Sequence, residues 1–195
     1  MKVFLQVTED DDLFGVFALL VLRGLRRGEV LGLRWGDLDL DRGELRVERQ
    51  VTCVNRETVV GDPKSRAGIR RVAIDAGLCN VLDSHRARRC TQLSRVPRPG
   101  DWVFGDSEGG PLKPLEVTRY FQKLIQHAGL PRIRLHDLRH TSATLGLESG
   151  ESLLEVSRRL GHSSVAITGD IYSEVSPRAA RSAAERMASL VWDRS

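Results

Sequence analysis

Cysteine is scarce in this chain of 195 residues. The three cysteines, Cys53, Cys79 and Cys90, are odd in number and widely spaced, and they include no C-x-x-C pair. This spacing argues against a disulfide framework and against a zinc knuckle. We therefore expect a protein of the reducing cytoplasm.

Long hydrophobic runs are also missing. The run LFGVFALLVL, residues 13–22, has about half the length needed to span a bilayer, and no charged segment with a small-residue cleavage site precedes it. We interpret it as a buried helix, and we expect no membrane partner. Apolar residues make up 41% of the chain, which is enough to build a core.

Acidic residues are few in the middle of the chain. The formal net charge is +4, and between Lys64 and Arg98 nine basic residues are opposed only by Asp75 and Asp83. A basic segment of this kind suits a partner that carries phosphate groups.

The spacing of apolar residues divides the chain into helical and extended segments. Alternation around two turns predicts three short antiparallel strands between residues 38 and 74, with Lys64 on a tight turn. The predicted fold class is therefore mainly α with a small three-stranded antiparallel β-sheet. Helical spacing predicts helices in LFGVFALLVL, in RRGEVLGLRW, from Leu78 onward, in LEVTRYFQKLIQHAG, in ESLLEVSRRLG and in SPRAARSAAERMASLVW.

The stretch LHDLRHT, residues 135–141, concentrates polar side chains between two leucines. On a helix, His136, Arg139 and His140 are spaced i, i+3 and i+4 and share a face. A guanidinium beside imidazoles indicates an anionic substrate. Further polar side chains occupy marked positions in GLRRGE (Arg26 and Glu29), on the predicted turn (Lys64), in LGHSS (His162) and in DIYSEV (Tyr172).

These residue types suit chemistry on a phosphodiester. Two guanidinium groups can hold the oxygens of one phosphate through paired hydrogen bonds. A tyrosine can act as an oxygen nucleophile, provided that a base or a positive site lowers its pKa from about 10. A cationic lysine can protonate the departing oxygen.

Five motifs in this order resemble the tyrosine recombinases, or phage-type integrases: GLRRGEVLGLRWGDLDLD, PKSRAGIRRV, LHDLRHTSAT, LGHSS and DIYSEV. The resemblance extends from about Asp12 to Pro177 and implies the catalytic-domain fold of that family. It implies a role for each matching residue: Arg26 and Arg139 clamp the scissile phosphate, Lys64 is the general acid, His136 is a general acid/base, His162 donates a hydrogen bond, Tyr172 is the nucleophile, and Glu29 and His140 position the others.

The resemblance also implies the reaction and the partners. The tyrosine would attack a DNA phosphodiester, giving a 3′-phosphotyrosine and a free 5′ hydroxyl, and strand exchange would follow within a tetramer on a specific recombination site. Neither a cofactor nor a metal is implied. Family members usually carry further N-terminal DNA-binding domains, so residues 1–195 are interpreted as one isolated catalytic domain.

Three other functions remain open from the residues. His136, His140 and His162 could ligate zinc in a metallohydrolase, although Arg139 between the first two would repel the ion. A type IB topoisomerase would use the same covalent chemistry, and a non-catalytic DNA-binding regulator would use the basic segment alone. Tyr120 and Lys113 are the alternatives to Tyr172 and Lys64.

Overall fold

The computed structural model describes residues 1–172 and positions 185, 187–189 and 192; at positions 66 and 170–172 it describes the backbone alone. The described helices are α1 (Lys2–Val7), α2 (Phe14–Arg23), α3 (Arg27–Leu31), α4 (Ala76–Leu93), α5 (Pro114–His127), α6 (Asp137–Ser149), α7 (Leu153–Leu160) and α8 (Val165–Tyr172). The described strands are β1 (Leu38–Asp39), β2 (Glu44–Val47), β3 (Gln50–Val54), β4 (Glu57–Gly61) and β5 (Arg70–Ala73).

Helix α2 lies at the centre of the main core. It is apolar almost all round and buried along most of its length, as expected of a central helix. Gly24 ends it in the left-handed conformation, with φ 63°. The Phe17 ring packs edge-on against Phe4 of α1, with centroids 5.3 Å apart, and Phe4 contacts Phe121 of α5 at the same distance. Helix α1, which the sequence did not predict, thus contributes to the core.

Helices α4 and α7 begin at residues whose side chains cap the helix. The Asp75 carboxylate accepts a hydrogen bond from the Leu78 N–H and caps α4. Ser152 and Glu155 form a capping box at the start of α7, and Gly161 ends α7 with φ 68°. A second, smaller apolar cluster packs α6 against α7 through Ala143, Leu147, Val156 and Leu160. The predicted closing helix, SPRAARSAAERMASLVW, lies mostly outside the described residues.

The predicted three-stranded antiparallel sheet is confirmed, with strand order β1-β2-β5. Leu45 of β2 lies opposite Leu38 on one side and opposite Val72 on the other. The structure adds a two-stranded hairpin of β3 and β4, which the sequence did not predict. Its turn is formed by Asn55 and Arg56, both at positive φ, the conformation that a two-residue hairpin needs.

No helix in the described part of the chain is both long and apolar enough to cross a membrane.

Candidate active site

Arg26 and Glu29 are fixed by the capping of a short helix. Arg26 directly precedes α3. The backbone N–H of Arg26 donates a hydrogen bond to the Glu29 carboxylate at 2.9 Å, and the Arg26 guanidinium donates a second one at 2.7 Å. The order RRGE places a glutamate at the third helical position, where a carboxylate caps the helix start. Glu29 is only 1% exposed, so a buried side chain holds Arg26 in place.

Glu29 keeps its charge despite this burial. Burial alone raises the pKa of a carboxyl group, but the hydrogen bonds and charge of Arg70, with the hydrogen bonds from Arg26, lower the pKa of Glu29 below its usual value. The carboxylate is therefore ionised at neutral pH and serves as the shared counter-charge of two guanidinium groups.

Arg139 points into the molecule rather than outward beside the two histidines of its helix. It is 4% exposed, and its guanidinium donates to the carbonyl oxygens of Gly24 at 2.6 Å and Leu160 at 2.7 Å. These carbonyls lie at the C-terminal ends of α2 and α7, which carry partial negative charge. Burial, with the nearby charge of Arg26, lowers the pKa of Arg139 to about 9, so the group stays cationic at neutral pH.

The two arginines of the predicted clamp meet at the end of α7, and we call them the arginine pair. Arg26 donates to the carbonyl oxygen of Gly161 at 3.1 Å, while Arg139 donates to that of the preceding residue, Leu160. The side chain of Arg26 is 30% exposed, whereas Arg139 is buried. The structure therefore brings these two predicted residues together.

His136 and His140 are both exposed at the start of α6. Their rings make an edge contact, with centroids 5.2 Å apart. Partial burial, with the charges of His140 and Arg139, lowers the pKa of His136. Its imidazole is therefore neutral at neutral pH and able to accept a proton.

His162 follows Gly161, the residue that ends α7, and lies partly buried. Its Nδ1 atom is 2.8 Å from the hydroxyl oxygen of the buried Thr168. Burial, followed by the charges of Arg139 and Arg26, lowers the pKa of His162 to about 4. The ring is therefore neutral at neutral pH. The charges of the arginine pair act on it directly.

Lys64 is exposed in the connection between β4 and a short 3₁₀ turn, at the bend of residues 64–65. Its ammonium has no hydrogen bond or ion pair within the described part of the chain. The 3₁₀ turn that follows Lys64 lies close to the end of α7, because a Cβ atom on Gly161 would lie 2.8 Å from the carbonyl oxygen of Ala67. The alternative, Lys113, is paired with Glu116 at 3.7 Å on the surface.

The backbone of Tyr172 ends α8, which packs against α6 and α7, but its side chain lies outside the described part of the structure. The hydroxyl group of the other tyrosine, Tyr120, donates a hydrogen bond to the Asp11 carboxylate at 2.5 Å. That hydrogen bond raises the pKa of Tyr120 to about 12, which opposes formation of a phenolate. Tyr120 therefore has the surroundings of a surface phenol rather than of a nucleophile.

Two further arginines, which the sequence did not assign to the site, complete the charge network. Arg70 donates to the Glu29 carboxylate at 2.9 Å and, through Nε, to the carbonyl oxygen of Arg159 at 2.6 Å. Arg159 donates to the Ser142 hydroxyl at 2.9 Å and pairs with Glu151 at 2.9 Å. Each belongs to an Arg-Arg sequence, and only the folded structure shows which arginine of the two is turned inward.

The zinc alternative has no third ligand in this arrangement. His136 and His140 contact each other, but His162 is hydrogen-bonded to Thr168 instead. Among the residues whose positions are described, no three His, Cys, Asp or Glu side chains are grouped so that they could hold a metal ion.

The model of the phage integrase family matches residues 8–178. The chain belongs to this family. The resemblance to the tyrosine recombinases is thereby confirmed. A tyrosine recombinase XerC-like protein of Caldanaerobacter subterraneus subsp. tengcongensis is 34% identical over 192 residues, which cover 90% of this chain and 49% of that protein. The ICEBs1 integrase of Bacillus subtilis is 29% identical over 188 residues, covering 95% of this chain and 51% of the integrase. This phage integrase family member thus spans about half the length of these relatives.

Solved structures of recombinases share the fold. The Tn1549 transposon integrase in complex with transposon right end DNA superimposes with a TM-score of 0.78 at 21% identity, covering 96% of this chain and 64% of that one. The XerA recombinase superimposes with a TM-score of 0.72 at 23% identity, covering 100% of this chain and 63% of that one. The predicted tyrosine recombinase catalytic-domain fold is confirmed.

Proposed function

We propose that this chain is the catalytic domain of a site-specific tyrosine recombinase. The single observation that carries the proposal is the convergence of the arginine pair on the neighbouring carbonyls of Leu160 and Gly161. A site with two fixed guanidinium groups, of which that of Arg26 belongs to a partly exposed side chain, and with a nearby neutral imidazole suits a phosphodiester. The family supplies the nucleophile, Tyr172.

The proposed reaction is an in-line displacement at phosphorus. The Tyr172 oxygen forms a bond to phosphorus while the bond from phosphorus to the 5′ oxygen breaks, giving a 3′-phosphotyrosine and a free 5′ hydroxyl. Negative charge grows on the phosphoryl oxygens, and Arg26 and Arg139 stabilise it with donors that are already in place. The reverse attack by a second 5′ hydroxyl rejoins the DNA.

Three residues handle protons and hydrogen bonds in this scheme. His136, neutral at neutral pH, takes the proton from the Tyr172 hydroxyl. Lys64 gives a proton to the leaving 5′ oxygen. If the Nδ1 atom of His162 accepts from the Thr168 hydroxyl, its Nε2–H is left to donate to a phosphoryl oxygen. Glu29 holds Arg26, and His140 supports His136 through their ring contact.

The remaining parts of the proposal concern partners and setting. We propose that residues 1–195 act as one catalytic domain, on double-stranded DNA with a specific recombination site and within a tetramer formed by the whole protein. We place this activity in the cytoplasm, on DNA, with no metal or other cofactor. Two relatives, the tyrosine recombinase XerC-like protein and the ICEBs1 integrase, support DNA as the substrate.

Covalent capture tests the proposal. The chain is incubated with a pool of nicked duplexes that carry a randomised core, and molecules that survive SDS on the protein are amplified and sequenced. We expect adduct with the wild type and with Tyr120→Phe, and none with Tyr172→Phe, which should still bind DNA. An adduct that survives in Tyr172→Phe would overturn the assignment.

The captured duplex also separates the alternatives. A recombinase should require the selected sequence and should join two copies of it. Relaxation of any supercoiled plasmid without that sequence would indicate a type IB topoisomerase, and binding without adduct would indicate a regulator. Stoichiometric zinc in the purified protein would favour the metallohydrolase.

A further inference from the structure

Arg70 donates four hydrogen bonds beside the arginine pair, although the proposed chemistry gives it no role. Its side chain is 8% exposed. It donates to both carboxylate oxygens of Glu29, at 2.9 and 3.3 Å, to the carbonyl oxygen of Arg159 at 2.6 Å and to that of Gly68 at 2.8 Å. One side chain thus connects three separate segments of the chain.

The contact with Gly68 connects Arg70 to the segment that carries Lys64, residues 62–68, which we call the lysine segment. Gly68 packs so closely on Pro63 that a Cβ atom added to it would lie 2.5 Å from the Pro63 Cβ. Pro63 is buried and directly precedes Lys64, whereas Lys64 is exposed. The position of the Lys64 backbone therefore depends on how Gly68 is held.

The other contacts of Arg70 lead to the arginine pair. Glu29, which Arg70 binds, also accepts the hydrogen bond from the Arg26 guanidinium. Arg159, whose carbonyl Arg70 binds, directly precedes Leu160, whose carbonyl binds Arg139. Arg70 is therefore a direct hydrogen-bonded connection between the lysine segment and the residues that hold the arginine pair.

We propose that Arg70 is a positioning residue that sets the place of the Lys64 ammonium relative to the arginine pair. This inference rests on the proposed function, in which Lys64 protonates the leaving 5′ oxygen. Arg26 does not depend on Arg70 to the same degree, because the helix cap gives it two hydrogen bonds of its own to Glu29. Loss of Arg70 should therefore displace the acid more than the clamp.

The leaving group provides the test. The substrate is the captured nicked duplex, made once with an ordinary phosphodiester and once with a 5′-bridging phosphorothiolate, whose sulfur leaves without needing a proton. Arg70→Gln should lower the cleavage rate of the ordinary duplex on the order of a hundredfold, the contribution typical of general acid catalysis. On the phosphorothiolate duplex, its rate should be close to that of the wild type.

Arg71→Gln is the matched control, since it removes the same charge from the neighbouring position of β5. Arg71 is exposed and pairs with Glu44 on the surface at 3.3 Å. The Arg71→Gln protein should cleave both duplexes at close to the wild-type rate. A defect in Arg71→Gln equal to that in Arg70→Gln would overturn the inference, because the effect would then come from net charge.

The outcomes distinguish this inference from the proposed function. If Arg70→Gln is equally slow on both duplexes, or normal on both, the inference is wrong and the proposed function stands. If the phosphorothiolate does not restore the cleavage rate of Lys64→Ala, Lys64 is not the general acid, and the inference about Arg70 is wrong as well. Rescue of Lys64→Ala and Arg70→Gln, without a defect in Arg71→Gln, supports the inference.

A second variant covers the case in which Arg70→Gln does not fold, as judged by circular dichroism and urea unfolding. Gly68→Ala forces Gly68 and Pro63 apart but keeps the Arg70 side chain and its charge opposite Glu29. We expect the same pattern, a slow ordinary cleavage that the phosphorothiolate restores. Equal slowing of both substrates by a folded Gly68→Ala protein would overturn the inference.

Discussion

Glu29 and Arg70 form an ion pair at 2.9 Å that is almost entirely buried, with 1% of the Glu29 side chain and 8% of the Arg70 side chain exposed. The pair connects α3 to β5, and the same carboxylate also binds Arg26. Buried charges are tolerated only when they are paired and hydrogen-bonded, and both Arg26 and Arg70 have Glu29 as their partner. The stability of the site should therefore depend on Glu29.

Glu29→Gln should destabilise the protein by about 3 kcal/mol, because it leaves the guanidinium groups of Arg26 and Arg70 without their shared counter-charge. The free energy of unfolding in urea measures this loss. Glu44→Gln is the control, since Glu44 pairs with Arg71 at an exposed position. That change should cost less than about 1 kcal/mol. Equal losses in the two variants would contradict a buried network.

Gly24→Ala should destabilise the protein by more than Gly129→Ala, although the two glycines have the same φ of 63°. Each substitution adds about 1–2 kcal/mol of left-handed backbone strain. At Gly24 a Cβ would also lie 2.4 Å from the Leu160 side chain, whereas at Gly129 nothing lies within 4 Å. Urea unfolding of both variants measures the difference, and a Gly129→Ala loss as large as that of Gly24→Ala would show that close packing at Gly24 is unimportant.

Arg139→Lys should slow adduct formation on the order of a hundredfold, by analogy with the loss of one transition-state donor. A lysine keeps the charge but presents a single ammonium, which cannot reproduce the planar fork between Gly24 and Leu160. The rate of SDS-resistant adduct formation on the captured duplex measures the effect. Arg134→Lys, a change at an exposed arginine in the segment that precedes α6, is the control and should leave the rate nearly unchanged.

The DNA-free protein should lose stability as the pH falls from about 6.5 to about 4, in part through His162. The pKa of His162 is lowered in the folded protein, so the unfolded chain binds the proton more tightly and acid favours unfolding. The contribution of His162 to the free energy of unfolding is complete above the pKa of this group in the unfolded chain. It disappears as the pH falls toward the pKa of His162 in the folded protein. His162→Gln should show a shallower decline of the urea midpoint over this range. An identical decline in both proteins would mean that His162 is not neutral in the fold.

Much of the helical architecture was predictable because local signals determine it. The apolar run of α2 and the stops at Gly24 and Gly161 can be recognised from sequence alone. The hairpin of β3 and β4 was not predictable from the sequence, because Arg56 lies at positive φ in its turn and arginine is not a usual residue there. Helix α1 is six residues long, which is too short to show a clear period.

The sequence nominated residues for the candidate site but did not indicate their arrangement. The order of the motifs singled out Arg26, Glu29 and Arg139, and the structure shows that Glu29 caps the start of α3. The inward direction of Arg139 depends on the carbonyls of Gly24 and Leu160, which are 115 and 21 residues away in sequence. Contacts over such separations are set by the packing of α2, α6 and α7, which no local pattern records.

The most direct test of the account is to identify the residue that carries the DNA. The SDS-resistant adduct is digested with nuclease and protease, and the modified peptide is sequenced by mass spectrometry. The account predicts a nucleotide remnant joined through phosphate to the Tyr172 oxygen. A remnant on Tyr120, on a serine or on a histidine would contradict it.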